Sequence, residues 1–534
     1  MGRAQVETVR QRGGNGRRAR LIGGVIAGAM AVVGAGTSQA ASAHPNSSEG
    51  SQPNIVVFQT DDQALSQLSG DVMPNVTQLL AAHGTRFGRA YLTTPDCCPS
   101  RATLLTGQYG HNDGVLRNRY QLLEDKANVL PVWLRQAGYV TAHIGKFLNG
   151  YHSLAAAPGW MQWDTLVRPG RYYDYDLSVN GRTVHHAGRP RDYSTRVFKR
   201  AALGLIRRYV PRRRPLYLQI DEVAPHVERG TNLPPPQCNP IPDPRDEGLF
   251  SDAPLPQPPS FDEADLSDKP SFMRTLPPLS PEEVDRLRRN YRCGLAALRS
   301  VDRSVQRVYD EIRRFGELGR TVFIFYTDNG MFYGQHRIGL GKLNPYEEAL
   351  STPLVMRVPR RYLHRRRAVS HVAEPVANVD LAPTILGFAH AAPCRRPGDC
   401  RTMDGRVLTP LIAGRSPPWA QDRPIGLEID LGRGKPGHLV CQYTGVRQGD
   451  EILIKYLSVE EQDSGGCVAD DEWERYDLAR DPFELSNVCF GGGHASCPAD
   501  ESQERLEQLM RRMRTCSGIP GRDPRPEPGD RYCG

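Results

Sequence analysis

The sequence predicts an α/β protein: a mostly parallel sheet flanked by helices, followed by a smaller C-terminal domain of antiparallel strands plus a helix. Three observations predict it. Short apolar runs at residues 54–58, 216–220 and 321–326 have the length and composition of strands buried on both faces. Helical patterns lie between these runs, and strands alternating with helices imply a parallel sheet covered on both sides. Two of the runs end in acid-bearing turns, Thr60-Asp61-Asp62 and Thr327-Asp328-Asn329. Ligands of such sheets gather at the carboxyl ends of the strands.

In chain order, residues 1–43 read as an export signal. Arg12, Arg17, Arg18 and Arg20 form its charged region, residues 21–35 are apolar and small, and Ala41-Ser42-Ala43 is a cleavage site of the small-x-small type. Arg17-Arg18 leaves twin-arginine export open beside the general (Sec) route, although its surroundings match that motif poorly. No later stretch is long and apolar enough to cross a bilayer, so a secreted mature chain without a membrane span is expected. Residues 44–53 are polar, and the first strand follows. Helices are expected at 76–83, 129–136, 194–209 and 281–315. Residues 231–280 are rich in proline and poor in periodicity, and read as a long excursion within the first domain. A helix beginning near Asp380 closes that domain, expected to span 44–390. The second domain, 391–534, carries strand-like runs at 439–446 and 451–459 that suit a hairpin, and an amphipathic helix at 501–514.

The 534 residues carry a formal charge of +8, much of it in arginines of the leader and in short runs such as Arg212-Arg213-Arg214 and Arg365-Arg366-Arg367. Such runs read as solvated surface rather than a nucleic-acid interface, and a polyanionic substrate suits them. Twelve cysteines fit an oxidising compartment. With Cys97 and Cys98 set aside, neighbours in sequence suggest Cys238–Cys293, Cys394–Cys400, Cys441–Cys467, Cys489–Cys497 and Cys516–Cys533, though spacing alone does not define connectivity. No Cys-x-x-Cys pair supports a zinc site.

The chemical signal centres on Cys97-Cys98-Pro99-Ser100-Arg101, which runs on through Ala102 to Gly107. Pro99 suits the first turn of a helix, where a missing N–H costs nothing. Cys97 then stands at the positive end of that helix, and Arg101 one turn further on, facing the same anion. The plain alternative is a cysteine pair before a helix, one of them half of a disulfide. Asp61, Asp62, Asp328 and Asn329 offer hard oxygen ligands from two loops, a set for Ca²⁺ or Mg²⁺ rather than zinc. Asp and Asn also favour caps and turns, so either pair alone reads as structural.

Taken together, the ordered motifs resemble the type I (formylglycine-dependent) sulfatase family. Residues 97–107 resemble its signature, and Thr60-Asp61-Asp62-Gln63 and Asp328-Asn329-Gly330 its two metal motifs. Ala142-His143-Ile144-Gly145-Lys146, Ala224-Pro225-His226 and Gly341-Lys342 with Tyr346-Glu347-Glu348 resemble its substrate-binding segments. Residues 376–386 and Tyr476-Asp477-Leu478 with Asp481-Pro482 are similar to later family segments. Cys-Cys-Pro-Ser-Arg, His111-Asn112 and Lys-x-Leu-Asn are closest to the N-acetylglucosamine-6-sulfatase branch.

The resemblance implies an alkaline-phosphatase-like fold and hydrolysis of sulfate esters, on sulfated sugars or aryl sulfates. It implies that a formylglycine-generating enzyme converts Cys97 to 3-oxoalanine, whose hydrated diol attacks sulfur. By the same resemblance Asp61, Asp62, Asp328 and Asn329, with the modified Cys97, hold Ca²⁺ (or Mg²⁺). Arg101 fixes the diol, Lys146, His226 and Lys342 grip the sulfate, and His226 or Lys342 protonates the leaving alcohol. One departure stands out. Many members carry a histidine two residues after the first lysine, where this chain has Leu148. Asn149, His143 and His336 are candidates for its hydrogen bond. Two alternatives remain: a phosphonate or phosphate ester hydrolase of the same superfamily, which commonly has histidine where Asn329 stands, or a secreted glycan-binding protein without turnover if Cys97 stays unmodified.

Overall fold

The computed structural model describes residues 52–168, 170–228, 238–431, 440–457, 471–490, 496–524, 526 and 531–533. The export signal expected at 1–43 lies outside them, as does Cys467 of the expected Cys441–Cys467 pair. The other four expected disulfides are formed.

The expected buried strands are the spine of a ten-stranded sheet. From one edge the strands run His371–Val372, Thr85–Phe87, Leu354–Arg357, Thr321–Thr327, Asn54–Asp61, Leu216–Pro225, Val140–Gly145, Gln162–Leu166, Tyr175–Val179 and Arg182–His186. The central five, from Thr321–Thr327 to Gln162–Leu166, are parallel, and antiparallel strands finish one edge. On the other side Leu354–Arg357 pairs antiparallel to both its neighbours.

Alternation along Asn54–Asp61 divides the core. Val56 and Phe58 join one apolar layer, with Leu298 and Val305 of the helix Pro281–Arg314 and Phe198 and Ile206 of Ser194–Tyr209. Ile55 and Val57 face the opposite layer, with Leu104, Trp133 and Ile385 from the helices Cys97–Thr106, Leu130–Gln136 and Leu381–Ala389. Period-two side-chain alternation makes one strand serve both layers. Pro281–Arg314 begins with a reciprocal cap: Ser280 Oγ accepts from the Glu283 N–H at 3.2 Å, and Glu283 accepts from the Ser280 N–H at 3.0 Å. The helix expected at 76–83 is a wider π turn, Val76–Ala81, whose first N–H donates to Asp302 at 2.9 Å.

The expected C-terminal hairpin is the middle of a four-stranded antiparallel sheet, Ile425–Asp430, Gln442–Gln448, Glu451–Tyr456 and Trp473–Asp477. Leu506, Met510 and Met513 of the helix Glu501–Met513 pack on it. The same apolar cluster takes in Tyr91, Tyr109, Phe332 and Tyr346 from earlier in the chain. The proline-rich stretch, where described, carries only one short helix, Ser271–Arg274, and Glu263 from it reaches His336.

Candidate active site

Adjacent parallel strands end at one edge of the sheet. Asp61 closes Asn54–Asp61 and Asp62 follows it with φ +64°, a left-handed conformation that aspartate tolerates better than most residues. Asp328 and Asn329 follow Thr321–Thr327, Lys146 follows Val140–Gly145, and His226 follows Leu216–Pro225. All six are buried. Gly145 is required at its strand end: at φ +101° a Cβ there would lie 1.9 Å from the Asp221 carbonyl oxygen.

The helix Cys97–Thr106 points its first turn at this edge. Asp96 caps it by accepting from the Cys97 N–H at 3.1 Å, Pro99 sits in the first turn, and Gly107 ends it at φ +68°. The paired cysteines face different surroundings. Cys97 Sγ lies 3.4 Å from Asp61 Oδ1, 3.9 Å from Asp62 Oδ1 and 2.8 Å from Lys342 Nζ. Cys98 Sγ turns toward the Asn149 carbonyl oxygen at 3.6 Å and packs in the apolar layer beneath.

Each acid has a basic partner. Lys146 Nζ is 2.5 Å from Asp61 Oδ2, and Lys342 Nζ is 2.5 Å from Asp62 Oδ1. Arg101 donates through Nε to Asp328 Oδ2 at 2.8 Å and through Nη1 to the Lys146 carbonyl oxygen at 2.6 Å. His226 Nε2 stands 3.6 Å from Asp62 Oδ2. Burial opposes the charge on Lys342, but Asp62 and its neighbours overcome it and hold the ammonium well above the ordinary lysine range. Lys146 is raised in the same way, with Asp61 outweighing burial. Burial alone would push the Asp62 carboxyl up, yet Lys342, His226 and Lys146 hold it well below the carboxylate range. At Cys97 burial dominates, and the thiol is pushed well up despite Lys146 and Lys342.

All the expected site residues therefore meet: Asp61, Asp62, Cys97, Arg101, Lys146, His226, Asp328, Asn329 and Lys342. Arg101 is the refinement. Rather than reaching open space, its guanidinium is locked among Asp328, Asp61 and Asp221, because a buried guanidinium needs several acceptors. His143 and His336 are not beside Cys97. His143 bonds Thr165 at 2.6 Å and Asp221 at 3.1 Å, behind Arg101. His336 bonds Glu263 at 2.6 Å and groups with Glu348 and Glu484. Asp221 and Asp96 were not anticipated. Asp221 lies beyond an apolar run that the sequence ends at Ile220, and the strand continues through it because Arg101, His143 and Gln219 partner its carboxylate.

A cavity of about 670 Å³ opens over Cys97, lined at its inner end by Lys146, Asn149 and His226. Its outer wall includes Arg171, Asp174, Asp176 and His185, on and before the hairpin Tyr175–Val179 and Arg182–His186. A buried cysteine beside lysines and carboxylates, at the end of such a cavity, suits an anionic ligand. The comparisons narrow this. The sulfatase family model matches residues 53–391, and the model for the C-terminal part of N-sulphoglucosamine sulphohydrolase matches 334–513. The chain belongs to the sulfatase family, whose members are sulfuric ester hydrolases.

An arylsulfatase of Volvox carteri is 32% identical over 92% of this chain and 78% of its own length. The extracellular sulfatase SULF-1 homolog of Drosophila melanogaster is 32% identical over 70% of this chain, and the chain spans about a third (32%) of that relative. The N-acetylglucosamine-6-sulfatase of Homo sapiens is 28% identical over 90% of this chain and 88% of its own length. Among solved structures, BT4656 in complex with its substrate D-glucosamine-2-N,6-O-disulfate superposes with a TM-score of 0.66 at 25% identity, covering 86% of this chain and 97% of that one.

Proposed function

We propose that this chain is an exported hydrolase of sulfate esters on sugars, with formylglycine at position 97 and a calcium ion, or magnesium in its place, in the active site. The observation that carries this reading is the setting of Cys97. Its thiol is buried, held protonated, and contacted by Lys342 at 2.8 Å. Burial that disfavours the thiolate makes the unmodified residue a poor nucleophile, which supports its conversion. Formylglycine, once hydrated, would supply one hydroxyl to attack sulfur and displace the sugar alcohol, and a second whose deprotonation would expel sulfate and restore the aldehyde.

The donor set fits a hard divalent cation. Ligand atoms of Asp61, Asp62, Cys97 and His226 lie within 4.8 Å of one another, and Asp328 and Asn329 stand beside them. Carboxylate and amide oxygens suit Ca²⁺ or Mg²⁺, which would supply positive charge beside the attacking oxygen. The chain's own groups do the rest. Lys146 and Lys342, both held charged, neutralise the sulfate oxygens as negative charge builds on them. Arg101 fixes Asp328 and Asp61 so that the acids need no rearrangement during the reaction. His226 or Lys342 hands a proton to the departing alcohol. The sugar substrate class is supported by the cavity and by the sulfated-sugar sulfatases among the relatives. Export, and maturation by a formylglycine-generating enzyme, complete the reading.

A phosphonate or phosphate ester hydrolase is the second reading, and the family model together with Asn329 favours sulfate. Rates on paired aryl sulfate and aryl phosphate esters test it. Preference for the sulfate is expected; a preferred phosphate would overturn the assignment.

A further inference from the structure

We propose that Asn149 is a substrate contact that reads the uncharged part of the ester, a hydroxyl or acylamino group beside the sulfate. The inference rests on the sulfate-ester reading above. Asn149 lines the inner cavity together with Cys97, Lys146 and His226. The charged groups there are already engaged: Lys146 with Asp61, Lys342 with Asp62, Arg101 with Asp328. Asn118, the other amide lining the cavity, is engaged at both ends. Its Oδ1 accepts from the Cys98 N–H at 2.7 Å and its Nδ2 donates to Asp96 at 2.5 Å. The Asn149 side chain is different: its Oδ1 is buried and has no hydrogen-bond partner. A buried polar atom left unpaired carries a desolvation cost that a bound partner can recover.

The position is also held in advance. The Asn149 carbonyl oxygen accepts from the Tyr120 N–H at 2.8 Å, and the Gly150 carbonyl oxygen accepts from Gln121 Nε2 at 2.8 Å. Gly150 has φ +91°, and a Cβ there would meet Gln121 Oε1 at 3.0 Å. Phe147 and Leu148, between Lys146 and Asn149, are buried in the apolar layer, so Asn149 is the residue of this turn that faces the cavity. A fixed loop presenting one free amide is preorganised for recognition. The unpaired atom of this amide is its Oδ1, an acceptor, and the oxygens of a sulfate have no proton to give it. A hydroxyl or acylamino group does, through its O–H or N–H.

The test compares two probes on the full-length, matured enzyme: N-acetylglucosamine 6-sulfate, and 4-nitrophenyl sulfate, which has no hydroxyl to read. Asn149→Ala should lower kcat/KM on the sugar sulfate by about tenfold or more and leave the aryl sulfate within about threefold, since a site built to bond a polar group discriminates by that bond. Asn149→Leu keeps the side-chain size, stays neutral and removes the acceptor, and should show the same selective loss even if the alanine variant folds poorly. Equal losses on both probes would overturn the assignment and place Asn149 at the reacting group instead. No loss on either would overturn it as well. A parent enzyme that releases sulfate from neither probe, nor from any sulfated sugar in a panel, would instead overturn the sulfate-ester reading on which the proposal rests.

Discussion

Lys342 places its Nζ 2.8 Å from Cys97 Sγ, while the same atom lies 2.5 Å from Asp62 Oδ1. One ammonium thus touches both the nucleophile position and an acid of the expected cation site. Truncating it should remove charge where the sulfate oxygens gather. Lys342→Ala and Lys146→Ala should each lose transition-state stabilisation of about 2–4 kcal/mol, by analogy with one lost oxyanion donor. Steady-state kcat/KM within threefold of the parent, for either variant, would contradict its assigned role.

Chelation should abolish activity, and added Ca²⁺ or Mg²⁺ should restore it. Asp61→Asn should weaken that restoration, because it removes one ionised oxygen donor from the set. Metal-free protein with full activity, its metal content verified by elemental analysis, would contradict the cation site.

Arg101 and Asp328 form a fully buried ion pair at 2.8 Å. Asp328→Ala leaves the guanidinium without its nearest acceptor and should destabilise the fold by about 3–5 kcal/mol, apart from any effect on turnover. Urea unfolding measures it. An unchanged midpoint would mean that Asp61 and Asp221 suffice to hold Arg101.

His111 tests the join between the Cys97 helix region and the C-terminal sheet. Its ring bonds Glu428 at 2.9 Å and the Cys516 carbonyl oxygen at 3.0 Å. Burial pulls its pKa down, but Glu428 and these bonds raise it to about 9. The sign follows from the raised value: the contribution, on the order of 3 kcal/mol, is complete below the unfolded histidine value near 6.5 and is lost as pH rises through about 9. Stability should fall across that window in the parent and fall less in His111→Gln. Parallel pH profiles would contradict the linkage.

Much of this site was legible in the sequence because its chemistry is carried by short local motifs at the ends of apolar runs. Asp61, Asp62, Asp328 and Asn329 follow strands that the apolar pattern marks, and Cys97 to Arg101 sit on one helical turn. The rest depended on tertiary partners. Asp221 lies within a buried strand, where Arg101, His143 and Gln219 make a carboxylate tolerable. His143 and His336 read as candidates because their neighbours in sequence are active-site residues, yet each turns to its own buried partners. The hairpin on the cavity wall carries a local signal of its own: Asn180-Gly181, both at positive φ, is the turn chemistry of a tight hairpin. The outer C-terminal strands, Ile425–Asp430 and Trp473–Asp477, are short and become strands by pairing with the central hairpin.

The most direct measurement is the mass of the peptide spanning Cys97 in fully active enzyme. The account predicts a residue lighter than cysteine by about 18 Da, as CH₂SH becomes CHO, whereas ordinary thiol oxidation adds mass. It predicts the change at Cys97 and not at Cys98, which lies in the apolar layer away from the acids. An unmodified Cys97 in protein with full sulfatase activity would contradict it.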